Sequence, residues 1–479
     1  MDRLPALIAG KDVETSDYFV TEDPSSGKPL AEVARCGKPE VDAAVSAARS
    51  ASDGEWPATP AAERGRALKL VADLIRRDRE DLALTESRDT GKPLRQARTD
   101  VDVAARYFEF YGGIIDAFYG ETIPLSDELL AYTLREPFGV TAHIVPWNYP
   151  IQISARTVAP ALAVGNCCVL KPAEEAPLTA LRLSRLCLEA GLPPGALNVV
   201  PGFGEEAGAP LAAHPGIDHL SFTGSLEVGK LVQKATADNV VPVALELGGK
   251  SPNVVFGDAD LDAALPVIVN SILQNAGQTC SAGSRLLVDE RIHDEVVSAV
   301  ADRFAAVRIG PGPEDPDLGP LISKQQLERV RGFVDGTRDR ARLIFGGTSP
   351  EGLGGGYYFS PTLFDEVSPD ASIAREEVFG PVLAVTPFRE LDEAIRLTNA
   401  TDYGLVTAVW TRDVTTAHRL ARAARSGQVY VNTYGAGGGV ELPFGGFKRS
   451  GYGREKGFEA LHTYSQVKTV TIRLPGRSG

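Results

Sequence analysis

Apolar residues recur at two spacings along the chain, and the two spacings predict different elements. Residues 60–79 place Ala, Leu, Val and Ile three and four positions apart, which is typical of an amphipathic helix. Residues 154–165 predict a short helix that stops at a glycine. Further helices are expected over 178–190, 261–275 and 291–307. Short apolar runs predict buried strands at 139–145, 166–170, 198–200, 219–222, 284–289, 382–388 and 407–411.

The alternation of these helices and strands predicts an α/β fold. Strands that are separated by helices pair in parallel, with the helices packed on the faces of the sheet. One series precedes residue 250 and a second series follows it, so we expect two such units. The tail over 464–479 alternates apolar and polar residues, which predicts an edge strand that pairs with another subunit.

Composition and charge narrow the range of functions. The chain has 479 residues, 43% of them hydrophobic, and 49 basic side chains against 63 acidic ones, for a net charge of −14. Such a surface repels phosphate backbones and anionic lipid, so we expect no nucleic-acid partner and no membrane partner. A spanning run of about 18 apolar residues and a secretory pattern are both absent from the sequence, which predicts a cytoplasmic protein.

The cysteines and acidic clusters do not predict a metal site. Five cysteines without a CxxC spacing indicate a reducing compartment, with neither a disulfide framework nor a zinc cluster. Asp258, Asp260 and Asp262 open like a calcium loop. However, Ala263 stands where that loop needs Gly, and Val269 stands where it needs Glu.

Two glycine-bearing turns are candidates for binding a phosphate group. Residues 202–208 follow a predicted strand, but the third glycine comes one residue late for GxGxxG, so an ordinary strand-to-helix turn is an equal alternative. Residues 222–230 lie between a predicted strand and a helix that Ser225 is placed to cap. The exposed N–H groups of such a turn bind anions.

The second turn resembles an ATP phosphate loop but departs from it at one position. Gly224, Gly229 and Lys230 have the GxxxxGK spacing. Leu231 then stands where a Ser or Thr hydroxyl has to hold magnesium. A dinucleotide pyrophosphate therefore fits this turn better than a nucleoside triphosphate does.

Cys280 differs from the other cysteines because small polar residues surround it. An accessible thiol at a turn fits this setting, and an inert loop cysteine is the ordinary alternative. Glu246 lies among apolar residues, where desolvation raises the pKa of a carboxyl toward the range of a general base. Asn148 offers an amide donor on a turn after a strand. A thiol, a tuned carboxylate and an amide donor are the parts needed for acyl chemistry through a thioester.

Nine short motifs extend over nearly the whole chain. In order they are PWNYP, KPAEEAP, FTGSLEVG, LELGGKSP, GQTCSAGSR, EEVFGPV, YGL, VNTY and PFGGFKRSGYGRE. This ordered series resembles the aldehyde dehydrogenase superfamily. The resemblance implies NAD(P)-dependent oxidation of an aldehyde to the carboxylic acid, by the hydrolytic branch of the family.

The resemblance also implies an architecture. Two Rossmann-like parallel-sheet domains and a small β oligomerisation flap are expected, in a homodimer or a homotetramer. The implied segments are 1–116 and 138–247 for the NAD-binding domain, 248–463 for the nucleophile-bearing catalytic domain, and 117–137 with 464–479 for the flap.

The resemblance assigns roles to the three reactive residues. Cys280 is expected to attack the aldehyde carbonyl, and the amide of Asn148 with the Cys280 backbone N–H to hold the resulting oxyanion. Glu246 is expected to activate the water that hydrolyses the thioester. Relatives that pass the acyl group to coenzyme A tend to lack a carboxylate at this place, so hydrolysis is expected here.

For the cofactor, Lys171 and Glu174 match the positions that hold the adenosine ribose, and Ser225 matches the pyrophosphate contact. Glu377 and Phe379 match the clamp on the nicotinamide ribose. The carboxylate of Glu174 would accept ribose hydroxyls and repel a 2′-phosphate, which predicts NAD over NADP. The candidate cofactor set is completed by Gly204, Gly224, Leu247 and Trp147.

The substrate is less determined. Arg156 matches a tunnel position that carries Arg in semialdehyde-oxidising relatives, where it could pair with a distal carboxylate or phenolic oxygen. A structural salt bridge is the alternative. Gln274 stands where those relatives have a second Arg, and Tyr149 completes the candidate substrate set. Residues 436–439, Ala-Gly-Gly-Gly, predict a roomy entrance for aromatic or medium-chain aldehydes.

Three other functions stay open at this point. A catalytically idle relative, used as a structural or binding protein, would have no chemical need for Cys280, Glu246 and Asn148 together. A coenzyme A-acylating semialdehyde dehydrogenase would release an acyl-coenzyme A. A cysteine hydrolase would turn over without NAD.

Overall fold

The computed structural model describes residues 2–435 and 439–475, and helices and strands alternate along them as predicted. The helices are α1 (Lys38–Ser52), α2 (Glu55–Ala58), α3 (Ala61–Arg77), α4 (Arg79–Thr90), α5 (Leu94–Ile114), α6 (Pro150–Val164), α7 (Leu178–Glu189), α8 (Ala209–Ala212), α9 (Leu226–Ala237), α10 (Leu261–Leu273), α11 (His293–Ala305), α12 (Lys324–Asp335), α13 (Ser372–Arg375), α14 (Leu391–Thr398), α15 (Val414–Ala423) and α16 (Glu459–Thr463).

The strands are short, and most of them are buried. They are β1 (Asp2–Leu4), β2 (Ala6–Ile8), β3 (Lys11–Val13), β4 (Tyr18–Asp23), β5 (Lys28–Ala34), β6 (Thr122–Ser126), β7 (Leu129–Pro137), β8 (Val140–Ile144), β9 (Cys167–Lys171), β10 (Leu197–Val199), β11 (His219–Thr223), β12 (Val243–Glu246), β13 (Pro252–Val255), β14 (Arg285–Asp289), β15 (Arg342–Phe345), β16 (Thr362–Asp365), β17 (Val382–Phe388), β18 (Tyr403–Gly404), β19 (Val406–Trp410), β20 (Gln428–Val431), β21 (Phe447–Lys448), β22 (Gly451–Tyr452) and β23 (Ser465–Arg473).

The first large sheet has the order β22-β12-β11-β8-β9-β10-β2-β3. Its five central strands, β12, β11, β8, β9 and β10, run parallel, and the outer strands pair antiparallel. A buried apolar cluster that includes Leu68 of α3, Phe108 of α5 and Leu162 of α6 packs with this sheet. The sheet brings together strands from residues 6 to 452 of the chain.

The second large sheet has the order β15-β16-β17-β14-β13-β19-β20, and all of its pairs are parallel except β15 with β16. A second apolar cluster joins it to its helices, with Ile268 of α10, Val300 of α11 and Val330 of α12 as members. The two parallel sheets confirm the predicted α/β fold with two Rossmann-like units.

Three smaller sheets complete the described chain. Strands β1, β5 and β4 form one, β18 and β21 form another, and β23, β7 and β6 form the third. In the third sheet β23 pairs antiparallel along all of β7, from Ser465 opposite Pro137 to Arg473 opposite Leu129. The predicted tail strand is therefore present, and its second edge faces away from β7.

Helix α6 shows how local sequence positions the site. It begins at Pro150, four residues before the predicted start, because proline at the first helical position has a suitable φ and lacks only an N–H that has no helical acceptor. It ends at Val164, and the next residue, Gly165, has a left-handed φ of 104°, as the predicted stop requires. The turn before α6 follows β8, and the turn before α9 follows the neighbouring strand β11.

These two turns flank the place where the strand order of the first sheet reverses. Strands β8, β9 and β10 extend to one side and β11 and β12 to the other. Ligands of open parallel sheets bind at the carboxyl ends of the strands at such a point. Among the helices that the structure describes, none is long and apolar enough to cross a membrane.

Candidate active site

One large cavity opens at the reversal point of the first sheet. It has a volume of about 1060 Å³ and is lined by the turns after β8 and β11, the end of β12 and loops of the second sheet. The three reactive residues that the sequence predicts, Cys280, Glu246 and Asn148, all line it.

Cys280 lies on a loop that the backbone bends sharply. After α10, Asn275 and Ala276 have φ values of 49° and 54°, and Gly277 has a φ of 73°. A Cβ added at Gly277 would lie 2.2 Å from the carbonyl oxygen of Gly380, so only glycine fits there. The apolar pattern predicted a helix to residue 275, but α10 ends at Leu273 because Gln274, with a ψ of 130°, leaves the helical conformation, and the left-handed residues follow it.

The Cys280 thiol is partly exposed and is held as a thiol rather than a thiolate. Burial raises its pKa to about 12, and the positive charge of Arg156 opposes this rise. A cysteine in this state needs a base to remove its proton before it can act as a nucleophile.

Glu246 ends strand β12 and is almost completely buried. Neither of its carboxylate oxygens has a hydrogen-bond partner within the described part of the chain. Burial raises the pKa of this carboxyl well above its usual value, and the nearby Glu455 carboxylate raises it further. Such a carboxyl exchanges its proton in a more alkaline range than an exposed Glu, which suits a general base.

Asn148 and its neighbour hold the loop of the nucleophile. Nδ2 of Asn148 donates to the carbonyl oxygen of Gln278 at 2.9 Å. The hydroxyl of Tyr149 lies 2.8 Å from Oγ1 of Thr279. The turn after β8 is thus bonded to the two residues that precede Cys280 in the chain.

The glycine pair after Glu246 allows two parts of the site to approach closely. A Cβ added at Gly248 would lie 2.1 Å from Oε2 of Glu377, and one added at Gly249 would lie 2.4 Å from the carbonyl oxygen of Cys280. The N–H of Gly249 donates to Oε1 of Glu377 at 2.9 Å. Burial raises the pKa of Glu377 to about 7.

Five of the residues predicted for the cofactor line the same cavity: Gly224, Ser225, Glu377, Phe379 and Trp147. Ser225 caps α9 as predicted, since its hydroxyl oxygen accepts from the N–H of Val228 at 3.2 Å. The ring of Trp147 meets that of Phe379 edge-on, with 5.3 Å between their centroids.

The other predicted cofactor residues do not line the cavity. Nζ of Lys171 lies 2.8 Å from Oε2 of Glu174, in an ion pair that follows β9. Gly204 begins a single π-helical turn over Gly204–Gly208. Leu247 is buried, and a Cβ added at Gly229 of α9 would lie 2.6 Å from its Cδ2.

Of the predicted substrate residues, Arg156, Tyr149 and Gln274 line the cavity. Nε of the buried Arg156 lies 2.5 Å from Oε2 of Glu455, and its Nη2 donates to Oγ1 of Thr223 at 3.1 Å. The salt bridge that the sequence left as the alternative is therefore present. Of the predicted entrance, Ala436, Gly437 and Gly438 lie outside the described residues.

Two charged residues that contact residues of the site, Glu455 and Lys92, were not selected from the sequence. Glu455 belongs to the last of the nine motifs, but nothing in its local pattern links it to Arg156 or Glu246. Lys92 follows α4 in a Gly-Lys-Pro turn, and its buried ammonium donates to the carbonyl oxygen of Asn148 at 2.9 Å. A charged residue between two predicted helices is ordinarily exposed, so composition gave no signal for its burial.

The site fits a dinucleotide. The cavity extends from the first turn of α9, where N–H groups suit a pyrophosphate, to Cys280. The glycine at 248 leaves space that a side chain would fill, beside the carboxylate of Glu377. Within the described residues, no cluster of three or more potential metal ligands is found.

The chain is similar to known proteins over most of its length. The sequence model of the aldehyde dehydrogenase family matches residues 12–470. Retinal dehydrogenase 2 of Homo sapiens is 44% identical over 473 residues, which are 97% of this chain and 90% of that protein. A crystal structure of a protein from Burkholderia cenocepacia assigned as an aldehyde dehydrogenase is 53% identical, with a TM-score of 0.97 over 98% of this chain and 99% of that one. The indole-3-acetaldehyde dehydrogenase of P. syringae, in complex with NAD+ and IAA, is 40% identical, with a TM-score of 0.96 over 98% of this chain and 96% of that one.

Proposed function

The chain belongs to the aldehyde dehydrogenase family and oxidises aldehydes with NAD, and from that premise we propose which of its residues carry out each step. Cys280 is the nucleophile, Asn148 the oxyanion donor and Glu246 the general base. The observation that carries this proposal is that all three side chains line one cavity, in which the carboxylate of Glu246 is buried.

In the first step the Cys280 thiol loses its proton to solvent, and Sγ adds to the aldehyde carbon. The new C–S bond forms as the electron pair of the carbonyl moves to oxygen. Nδ2 of Asn148 and the backbone N–H of Cys280 donate hydrogen bonds to that oxyanion. Because one N–H of the Asn148 amide is bound to Gln278, the donor has a fixed orientation.

NAD, when bound, supplies the acceptor for the hydride that leaves the substrate carbon. The residues at its side of the cavity have separate tasks. The capped first turn of α9 at Ser225 would hold the pyrophosphate, and Glu377 would hold the nicotinamide ribose. Glu377 is held for this by the N–H of Gly249.

The oxidised substrate is a thioester on Cys280. Glu246 takes a proton from a water molecule, whose oxygen attacks the thioester carbon, and the C–S bond breaks with release of the carboxylic acid. The sulfur leaves as a thiolate and takes the proton that Glu246 accepted from the water, so the thiol and the carboxylate are both restored. A carboxylate at Glu246 supports this hydrolytic outcome over transfer of the acyl group to coenzyme A.

For the adenosine end of the cofactor we propose Lys171 and Glu174, with a preference for NAD over NADP. Support comes from the negative charge of Glu174, because a carboxylate attracts ribose hydroxyls and repels a 2′-phosphate. Its ion pair with Lys171 fixes the position of that charge.

We propose an aromatic or medium-chain aldehyde, or a semialdehyde, as the substrate. The large cavity supports this class, as do the relatives named for retinal and for indole-3-acetaldehyde. Arg156 lines the cavity, but its guanidinium already forms an ion pair with the carboxylate of Glu455. A semialdehyde carboxylate would have to share the guanidinium with Glu455.

We propose that the protein functions in the cytoplasm as a homodimer or homotetramer. All five cysteines are free, which suits a reducing compartment. The sheet of β6, β7 and β23 offers a strand edge and the exposed apolar side chains of Leu130, Leu134 and Val467 for subunit contact.

The test of the catalytic proposal is the rate of NADH formation with aliphatic, aromatic and carboxylate-bearing aldehydes. We expect Cys280→Ala to lose about 10³-fold or more in kcat/KM. The matched control is Cys187→Ala, which removes a buried thiol of α7 that does not line the cavity. If Cys280→Ala retains the wild-type rate with every aldehyde, the proposal is wrong.

A further inference from the structure

Lys92 carries a buried charge beside two buried carboxylates. Its side chain is inaccessible to solvent, and Nζ lies 2.5 Å from Oδ2 of Asp100 and 3.6 Å from Oε1 of Glu86. Replacing such a buried ionic cluster with apolar side chains is often neutral or stabilising. A stability role is therefore a weak explanation for an ammonium at this position.

The third contact of the ammonium reaches the active site. Nζ donates to the carbonyl oxygen of Asn148 at 2.9 Å, and it lies 4.4 Å from the centroid of the Tyr149 ring. The same carbonyl oxygen accepts from Nδ2 of Asn275 at 2.8 Å. The backbone of the oxyanion turn is thus held from the α4–α5 side by Lys92 and from the nucleophile loop by Asn275.

These contacts form a continuous path from Lys92 to the nucleophile. Asn148 and Tyr149, both in contact with the ammonium, bind Gln278 and Thr279 through their side chains. Gln278 and Thr279 directly precede Cys280. A shift of the turn after β8 would therefore change the position of the Asn148 amide relative to the sulfur of Cys280.

We infer that Lys92 is a positioning residue of the aldehyde oxidation, whose ammonium clamps the Asn148 carbonyl and the Tyr149 ring so that the Asn148 amide meets the oxyanion. This inference depends on the proposed role of Asn148 as oxyanion donor. A donor bound only by neutral contacts would move by fractions of an ångström, and misplacement of about 1 Å costs about 10²-fold in rate.

The experiment compares Lys92→Met with the double variant Lys92→Met/Asp100→Asn. The single variant keeps the length of the side chain and leaves the Asp100 carboxylate buried without its cation, so it loses stability. The double variant removes that carboxylate charge, and Glu86, whose pKa burial already raises to about 7, takes up a proton. The double variant therefore removes the contact of Lys92 with the Asn148 carbonyl without leaving an unpaired carboxylate charge.

We expect the double variant to recover most of the thermal midpoint of the wild type while its kcat stays about 10- to 100-fold lower. KM for NAD and the dissociation constant for NAD, read from protein fluorescence, should stay within about twofold. Recovery of kcat together with the thermal midpoint would overturn the inference. Failure of the double variant to fold would also overturn it, because Lys92 would then serve stability.

A third variant separates this inference from the proposed function. If Asn148→Ala lowers kcat and Lys92→Met leaves kcat within about twofold, the role of Asn148 stands and that of Lys92 fails. If Asn148→Ala keeps the wild-type kcat, the proposed oxyanion donor is itself wrong, and the role of Lys92 fails with it.

Discussion

Nε of Arg156 lies 2.5 Å from Oε2 of Glu455, two residues separated by almost 300 positions in the chain, and both charges act on Glu246. The Glu455 carboxylate raises the pKa of Glu246, and the Arg156 guanidinium lowers it. Burial is the main cause of the raised pKa of Glu246, and the ion pair adjusts the pH range in which Glu246 can act as a base. The same pair joins α6 to the segment that follows β22.

The first prediction concerns Glu455→Gln. Removing the negative charge lowers the pKa of Glu246, so its carboxylate form persists to lower pH and the acid limb of kcat should move to lower pH. The measurement is the pH profile of kcat for a good aldehyde. Because Arg156 is left buried without its partner, the free energy of unfolding should fall by about 3–5 kcal/mol.

Its matched counterpart is Arg156→Met, for which the shift has the opposite sign. Loss of the positive charge raises the pKa of Glu246, so the acid limb of kcat should move to higher pH. Profiles of the two variants that move in the same direction, or that coincide with the wild type, would refute the electrostatic coupling of this pair to Glu246.

The second prediction concerns Gly249→Ala. A Cβ here would lie 2.4 Å from the carbonyl oxygen of Cys280, so the backbone of one of the two segments has to move. We expect kcat to fall about 10- to 100-fold and the free energy of unfolding to fall by about 1–3 kcal/mol. Steady-state kinetics and denaturant unfolding measure the two effects.

The control for this glycine is Gly332→Ala in α12. A Cβ there meets no atom within 4 Å, and the residue is exposed. Alanine should raise the free energy of unfolding by about 0.5–1 kcal/mol and leave kcat unchanged. If kcat falls equally in Gly249→Ala and Gly332→Ala, the close approach of Gly249 to Cys280 has no specific role in catalysis.

The third prediction concerns cofactor choice. Glu174→Gln removes the charge that repels a 2′-phosphate, so kcat/KM with NADP should rise relative to that with NAD by about 10-fold, near 1.4 kcal/mol. Lys171 loses its ion-pair partner in this variant and becomes available to a phosphate. A wild-type enzyme that already uses both cofactors equally would contradict the proposed role of Glu174.

The sequence predicted most helices and strands well, because a helix or strand that buries one face has its apolar residues at regular spacings. Its errors fall where backbone conformation departs from that spacing. The helix predicted to residue 275 ends at Leu273 because Gln274 has a non-helical ψ and Asn275 and Ala276 are left-handed, and none of the three is a glycine that would have marked the change. The start of α6 was predicted four residues late because Pro150, the first residue of the helix, is also the last residue of the PWNYP motif, which was interpreted as a turn.

The candidate site divides in the same way. The side-chain types of Cys280, Glu246 and Asn148, together with the short motifs around them, indicate their chemistry. These three residues could therefore be selected from the sequence alone. Glu455 pairs with Arg156, which is distant in the chain. Lys92 has Glu86 and Asp100 close to it in the sequence, but its contact with Asn148 is distant, and no local pattern marks such a contact. Arg156 could be selected from the sequence, but its bond to Glu455 could not.

The most direct test of the account is the mass of the Glu246→Gln variant after it reacts with NAD and an aldehyde. Without a base to activate water, the thioester should accumulate, giving about one NADH per active site in a burst and a protein mass increased by the acyl group. Peptide mapping should place that acyl group on Cys280. A burst without an adduct, an adduct on another residue, or wild-type turnover by this variant would contradict a thioester on Cys280 that Glu246 hydrolyses.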